Sequence, residues 1–306
     1  MLAVTVLNFA LIHLAPGDAV DALVGQMGGA TPEMIAQIRA DYGLDRPLVT
    51  QLLVYVGKMV TGNLGFSFHF NEPVAALIFR RVPATALLVL AALALAIPVG
   101  IALGVVSAQR PRGLTSLAVT GLSLVGYALP AFWTGIMLLL LFAYTIPLFP
   151  SFGMRTAGLR GTGVLAVAAD ASWHLVLPAL TLASIYLAQY SRLTRASMRE
   201  ELQADYIRTA RSKGVSEAMV VYRHALKNAV LPVVTVVGLQ FGQILAGAVI
   251  VETVFSWPGL GQLAFQSILR RDHPLLLGIL FFSTGMVVVV NILTDMAYRW
   301  LDPRIH

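Results

Sequence analysis

Between Pro83 and Ala108 the chain runs for 26 residues without a charged side chain. About 20 predominantly apolar residues carry a helix across the ~30 Å hydrocarbon core of a bilayer. Backbone polar groups have no water to bond in lipid, so such a segment has to be helical. Further apolar runs lie at Leu114–Ile146, His174–Tyr190, Val233–Val251 and Leu275–Met296. The fold class this predicts is an all-α membrane protein. Composition agrees: 12% of residues are charged, where a soluble domain carries about 25%. There is no cysteine, which excludes disulfides, thiolate catalysis and Cys-ligated metal.

Charge sets the orientation. Lys and Arg concentrate in cytoplasmic loops. The tight loop Gln109–Gly113, the stretch around Arg192–Lys227 and the C-terminal tail hold 12 of the 21 Lys and Arg but 5 of the 15 acids. The net charge of +6 is therefore a topological asymmetry and no footprint for nucleic acid. It puts both termini in the cytoplasm, with Asp295 left inside a span. The first span is Met1–Ala15, apolar but shorter than a bilayer requires. It reads as a transmembrane helix whose cytoplasmic start is missing. A signal peptide is the competing reading, against which stand an uncharged n-region and no small-x-small cleavage site before Pro16.

Counting this one the chain has six spans, with external segments after the first, third and fifth. Residues 16–82 form an external subdomain of nearly balanced charge. Thr31-Pro32-Glu33 starts one short amphipathic helix in it, and Leu48–Val60 reads as another. Arg80 and Arg81 fall outside, against the positive-inside trend. Residues 83–298 are the membrane core. Pro98 and Gly100 kink the second span, and Pro130 breaks or bends the third. Trp133 and Tyr144 are interfacial anchors or packing residues. Pro147–Trp173 is a Gly- and Pro-punctuated external loop. Glu252–Pro274 is external again, and its Pro258-Gly259 turn leads into a short helix partly dipping back into the membrane.

The most charged stretch is 197–232. Between Arg192 and Lys227 lie eight basic residues (Arg192, Arg195, Arg199, Arg208, Arg211, Lys213, Arg223, Lys227) against four acids (Glu200, Glu201, Asp205, Glu217). Glu200–Lys213 has good helix formers, acids near its start and cations near its end, and Gly214 offers a left-handed C-cap. Val215–Asn228 reads as a second amphipathic helix, with Val220, Val221, Ala225 and Leu226 as its apolar positions. A helix, a glycine break and a second helix suit the docking of a partner protein. On charge alone the stretch also reads as a solvated or headgroup-binding loop.

Tyr206-Ile-Arg-Thr-Ala-Arg-Ser-Lys-Gly214, followed by Leu231-Pro232, resembles the "EAA" loop of ABC-importer permeases, closest to the dipeptide, oligopeptide, nickel and glutathione group. Arg208, Thr209 and Ala210 occupy the positions that name the motif, and only the last agrees with the generic letters. The gap from Gly214 to Pro232 is also longer than the generic one. Phe255-Ser-Trp-Pro-Gly-Leu-Gly261, the tail Leu301-Asp-Pro-Arg304, His13-Leu-Ala-Pro-Gly-Asp18, the YGLDRPLVTQ stretch from Tyr42 and the GNLGFSF stretch from Gly62 are similar to the same group, so the resemblance covers almost the whole chain. It implies the type I importer fold, with six transmembrane helices and an external subdomain after the first. It implies a bacterial or archaeal plasma-membrane protein in which the loop couples to an ATPase through Asp205, Tyr206, Arg208, Thr209, Ala210, Lys213 and Gly214. The partners implied are a second homologous permease, two ATPase subunits (identical or different), an extracytoplasmic substrate-binding protein and membrane lipid.

No G-x-x-x-x-G-K-[ST], G-x-S-x-G or H-E-x-x-H occurs, so no motif for ATP, acyl transfer or zinc hydrolysis is present. The histidines are scattered. The chain reads as no enzyme: it holds no cofactor itself, and ATP and Mg bind the partner ATPase. Polar residues inside spans are costly unless they line a cavity or pair. Gln189, Gln240, Gln243 and Asn291 are therefore candidates for the translocation path or for interhelical hydrogen bonds. Ser191 belongs with them, while Asp295 pairs with a loop Arg. Glu252 and Trp257 are candidates for an external gate. The expected function is import of di- or oligopeptides by alternating access. The alternatives are import of nickel, glutathione or another small solute, and, in a different class, ion-coupled secondary transport. The latter predicts several buried acids in the spans, where only Asp295 stands.

Overall fold

The structure is a computed structural model that describes residues 5–7, 9–10, 47–67, 69–156, 158 and 163–301. Most of the expected first span, the first helix of the external segment, the 13–18 motif, residues 42–46 of the Tyr42 motif and the tail motif after Leu301 lie outside these residues. The described chain is mostly helical. In order come α1 (Leu48–Val60), β1 (Phe66–Ser67), β2 (Glu72–Pro73), α2 (Val74–Gln109), α3 (Leu114–Ala128), α4 (Ala131–Leu139) with a π-helical turn Leu140–Thr145, and α5 (Val164–Glu201). Then follow α6 (Asp205–Ser212), α7 (Glu217–Met219) with a π-helical turn Val220–Ala225, α8 (Leu226–Ala229), α9 (Leu231–Leu239), α10 (Phe241–Val254), α11 (Leu260–Leu269) and α12 (His273–Leu301). Among the described residues four helical runs are long and apolar enough to cross a membrane, or five if the bent pair α3–α4 is one span. Many of their large apolar side chains face outward, such as Leu90, Leu141 and Ile292, as lipid contact requires.

Local chemistry explains most boundaries. α2 begins at Val74, upstream of Pro83, because Val74–Val82 carries helix formers and no break; the helix that holds the expected second span thus begins within residues 16–82. The bend between α3 and α4 is 103° and centres on Pro130. Leu129 before it is extended, with φ −81° and ψ 132°, as the clash with a following proline ring demands. α5 starts at Val164, inside the expected external loop. Thr156 is tied to it: the Thr156 N–H and Oγ1 donate to the two carboxylate oxygens of Asp170 at 2.8 and 2.6 Å. Those bonds hold the Asp170 carboxyl below its ordinary range. The short antiparallel pair β1–β2, Phe66 opposite Pro73 and Ser67 opposite Glu72, is the one departure from the all-helical expectation among the described residues.

The chain forms two compact units, residues 1–83 with 262–289 and residues 84–261 with 290–306. In the first, Ser67 Oγ donates to buried Asp272, whose other oxygen accepts the Leu275 N–H at 3.2 Å and so caps α12. Phe79 meets Phe282 edge to face, 5.5 Å between centroids. In the second unit, Leu88, Ala92 and Ala96 of α2 pack with Leu177, Leu182 and Tyr190 of α5, and with Ile244 and Val251 of α10. Glycines let α2 and α5 approach closely. A Cβ on Gly104 would stand 2.8 Å from the Ser191 carbonyl oxygen, and one on Gly100 2.9 Å from Tyr190 Cβ. Replacing Gly104 by leucine is expected to separate the two helices and reduce folded, detergent-soluble protein severalfold. Size-exclusion yield after extraction measures this.

Candidate functional site

The 197–232 stretch folds into a compact block. α5 runs on past its apolar stretch. It continues unbroken to Glu201, so the expected helix Glu200–Lys213 is divided at Leu202–Ala204 into the end of α5 and the start of α6. No proline or glycine marks that break. Its cause is tertiary: Met198 before it and Ile207 after it both turn into one apolar cluster with Val105 and Ala108 of α2 and Val220, Val221, Ala225 and Ala229. Ile207 is fully buried. Burying an isoleucine side chain contributes about 1.5–3 kcal/mol, so Ile207 is the nail that fixes α6 to the ends of α2 and α5.

α6 closes as a Schellman turn. Val215 N–H donates to Ala210 O at 3.2 Å and Gly214 N–H to Arg211 O at 3.0 Å, the six-to-one and five-to-two bonds of that motif. Gly214 holds φ +76°, the left-handed region where a Cβ is penalised. Arg211 then spans the turn, donating from Nη2 and Nε to the Glu217 carboxylate at 2.6 and 3.1 Å. Beyond it Val220, Val221 and Ala225 are buried as their pattern predicts, but through a π-helical turn that aligns them on one side.

Tyr206 is a strut as well as a surface residue. Its hydroxyl donates to Glu201 and accepts from Asn228 Nδ2 at 3.1 Å, joining α5, α6 and α8. Burial first, and then the hydrogen bond to Glu201, push its hydroxyl pKa up. Asp205, Arg208, Thr209 and Lys213 face outward, with much of the Tyr206 ring, and Arg211 and Ser212 are exposed beside them. Arg208 pairs with Asp205 at 3.2 Å while both stay largely exposed, a contact of little energy. Ala210 is half-buried under the turn. Sequence reasoning did not single out Ile207, Arg211, Glu217 or Asn228. The opposite charges of Arg211 and Glu217 on either side of Gly214 were the available signal.

The Arg211 bonds hold Glu217 below the usual carboxylate range near 4.5. A carboxylate with a depressed folded pKa stabilises above its unfolded pKa and loses that contribution as pH falls through the folded value. Amide exchange at 214–217, corrected for intrinsic rates, is therefore expected to stay flat down to about pH 5 and rise below about pH 4. Arg211→Ala should show the acid pattern at neutral pH.

A second constellation joins Glu252 and Trp257. Both are fully buried. Glu252 accepts from Thr85 Oγ1 and from the Gly261 N–H, each at 2.7 Å. Thr85 Oγ1 accepts the Leu260 N–H at 2.8 Å, and Trp257 Nε1–H donates to Ala84 O at 2.8 Å. The Phe255–Gly261 turn is thereby clasped to the Ala84–Thr85 turn of α2. Thr85 carried no sequence signal.

The polar residues of the spans divide. Gln243 is exposed and Gln189 half-buried; Ser191 is buried. Gln240 sits at the interruption between α9 and α10 with φ −91° and ψ −1°. Its Oε1 and the Asn291 Oδ1 are buried and, among the described residues, without a hydrogen-bond partner, so neither oxygen stitches the described helices together. The side chain of Asp295 is outside the described residues. Among those residues no cluster of His and carboxylates could hold a metal ion.

The profile of the binding-protein-dependent transport system inner membrane component family matches residues 100–306, and that of the N-terminal region of the same components matches residues 1–89. The chain belongs to this family. It is a membrane component of a transport system and no enzyme. Among its relatives, the dipeptide transport system permease protein of Escherichia coli is 40% identical over 321 residues, covering 100% of this chain and 94% of its own. The di/tripeptide transport system permease protein of Pseudomonas aeruginosa is 43% identical over 318 residues, covering 99% of this chain and 94% of its own. A dipeptide permease protein of Alkalihalophilus pseudofirmus is 37% identical over 319 residues, covering 100% of this chain and 95% of its own.

Proposed function

We propose that the chain is one of two homologous permease subunits of an ATP-driven importer of di- or oligopeptides, working by alternating access. It crosses the plasma membrane six times with both termini in the cytoplasm, and residues 16–82 lie outside. Two ATPase subunits, which bind ATP and Mg, each receive one 197–232 block. A substrate-binding protein delivers peptide to the outer segments. The observation that carries the reading is the α6 block. It is nailed to the ends of α2 and α5 by Ile207, while Asp205, Arg208, Thr209 and Lys213 face outward. A force applied to that face moves two membrane helices together. The end-to-end similarity to proteins named as peptide permeases supports the substrate class.

In this reading the unpaired Gln240 and Asn291 oxygens bond to substrate, to path water or to the second permease, and Gln189 and Gln243 belong to the same path. The Glu252–Trp257 clasp is the outer gate's fixed post, moving with α2 as one piece. The test is uptake into proteoliposomes holding this chain, its partner permease, both ATPase subunits and the binding protein. ATP-dependent uptake of radiolabelled dialanine, with none of nickel or glutathione, is expected. Uptake of nickel or glutathione in its place would establish the other substrate class. Uptake by this chain alone under an ion gradient would overturn the coupling scheme.

A further inference from the structure

Three arginines surround a cleft that the transport reading does not use. It measures about 460 Å³ and is lined by Arg110, Pro111, Arg112, Gly113 and Arg199. Its walls are the α2–α3 turn and the cytoplasm-directed end of α5. They are held in place by two contacts: Ser107 Oγ lies 3.1 Å from Ser116 Oγ, joining the last turn of α2 to the first of α3, and Arg195 donates to Thr120 Oγ1, joining α5 to α3.

No carboxylate lines the cleft, and among the described residues none of Arg110, Arg112 and Arg199 forms an ion pair; Glu200, next to Arg199 in sequence, is not part of the lining. α3 starts at Leu114, and its N-cap Gly113 offers no side-chain cap, which leaves first-turn N–H groups for an anion. Three guanidinium groups and a helix start with no acid among them fit a phosphate monoanion or diester.

What lies beside the cleft decides between sources of phosphate. Leu114 and Leu117, the first outward positions of α3, are 85% and 71% exposed, and Val106 on the last turns of α2 is exposed as well. A soluble phosphate has no use for that apolar ledge, whereas a bilayer supplies acyl chains for it. A phospholipid places its headgroup at the arginines and its acyl chains along the leucines. We infer that this cleft is a binding site for the headgroup of an anionic phospholipid, whose acyl chains lie against Leu114 and Leu117. Bound there, the lipid ties α2, α3 and α5 together at the membrane surface, beside the ends that carry α6.

The test uses the assembled transporter in bilayer discs of equal parts phosphatidylcholine and phosphatidylglycerol, with the retained lipid identified by native mass spectrometry after detergent washing. The wild type is expected to retain phosphatidylglycerol well above its share of the bilayer. Arg110→Gln, Arg112→Gln and Arg199→Gln together should cut that preference by about tenfold or more, since each basic residue at an anionic membrane surface contributes roughly fivefold. The corresponding lysine variants should keep most of it. No enrichment in the wild type would overturn the proposal whatever the variants do, as would enrichment that persists in the glutamine variant. Equal displacement by millimolar inorganic phosphate would show that the cleft takes free phosphate instead. Loss of the ATPase subunits in the glutamine variant with lipid selectivity unchanged would show a protein contact instead.

Discussion

Valine in place of Gly214 is expected to abolish most ATP-driven uptake while the chain still inserts and accumulates in the membrane. The reason is confined to the backbone. Gly214 holds φ +76°, and a Cβ there would meet nothing within 4 Å, so packing does not forbid a side chain. The left-handed conformation does: it costs a non-glycine residue about 1–2 kcal/mol, and a β-branched one more. Depopulating the Schellman turn by that amount lowers the competent α6 block by about tenfold. Because Ile207 and the buried valines remain packed, the membrane helices are untouched. Asparagine, which tolerates the left-handed region, should restore uptake to near the wild-type rate where alanine does not. Uptake in proteoliposomes, normalised to chain abundance, measures all three; normal uptake by Gly214→Val would remove the block from the coupling path.

The clasp around Glu252 should be the most fragile point of the second unit. Glu252→Ala leaves the Gly261 N–H without its acceptor and the Thr85 hydroxyl without one of its partners, in a site fully closed to solvent. Buried groups left unpaired cost about 1–3 kcal/mol each, and the lost carboxyl leaves a void. A total of about 3–5 kcal/mol is expected. Gly261→Ala reaches a similar cost by the opposite route, since its Cβ would overlap the Val249 backbone of α10, which cannot yield. At roughly 2 °C per kcal/mol for a chain of this size, either variant should lower the thermal midpoint in detergent by about 6 °C or more. Gly121→Ala is the control: its Cβ would meet nothing within 4 Å, and an interior helix glycine replaced by alanine gains rather than loses stability. Midpoints unchanged in both clasp variants would mean that Glu252 is not held as described.

These two sites show what the sequence discloses and what it hides. Gly214 was legible because a left-handed C-cap is a local requirement, written in the residue itself and in the charges around it. The membrane class was legible from apolar run length, and the Leu260–Leu269 helix from the Pro258-Gly259 turn before it. The break at Leu202–Ala204 was not legible, because burial of Met198 and Ile207 in one distant cluster makes it, and no residue at the break announces it. The same holds for Glu252. Its place near the end of a span reads as a gate, whereas its partners Thr85 and the Gly261 N–H are set by packing against a helix 167 residues away. The interruption at Gln240 left a partial trace in Gly238 and Gly242, too common in membrane helices to mark a break. The hairpin at Phe66–Pro73 left none, since strands of two residues carry no period.

The central claim, that the α6 block joins this chain to an ATPase, is tested most directly by extracting the tagged chain from its native membrane in mild detergent and identifying what comes with it by mass spectrometry. The account predicts a P-loop ATPase and a second six-span permease, both present with the wild type, and loss of the ATPase when residues 206–214 are altered. Recovery of the chain alone, with transport intact after reconstitution, would contradict it.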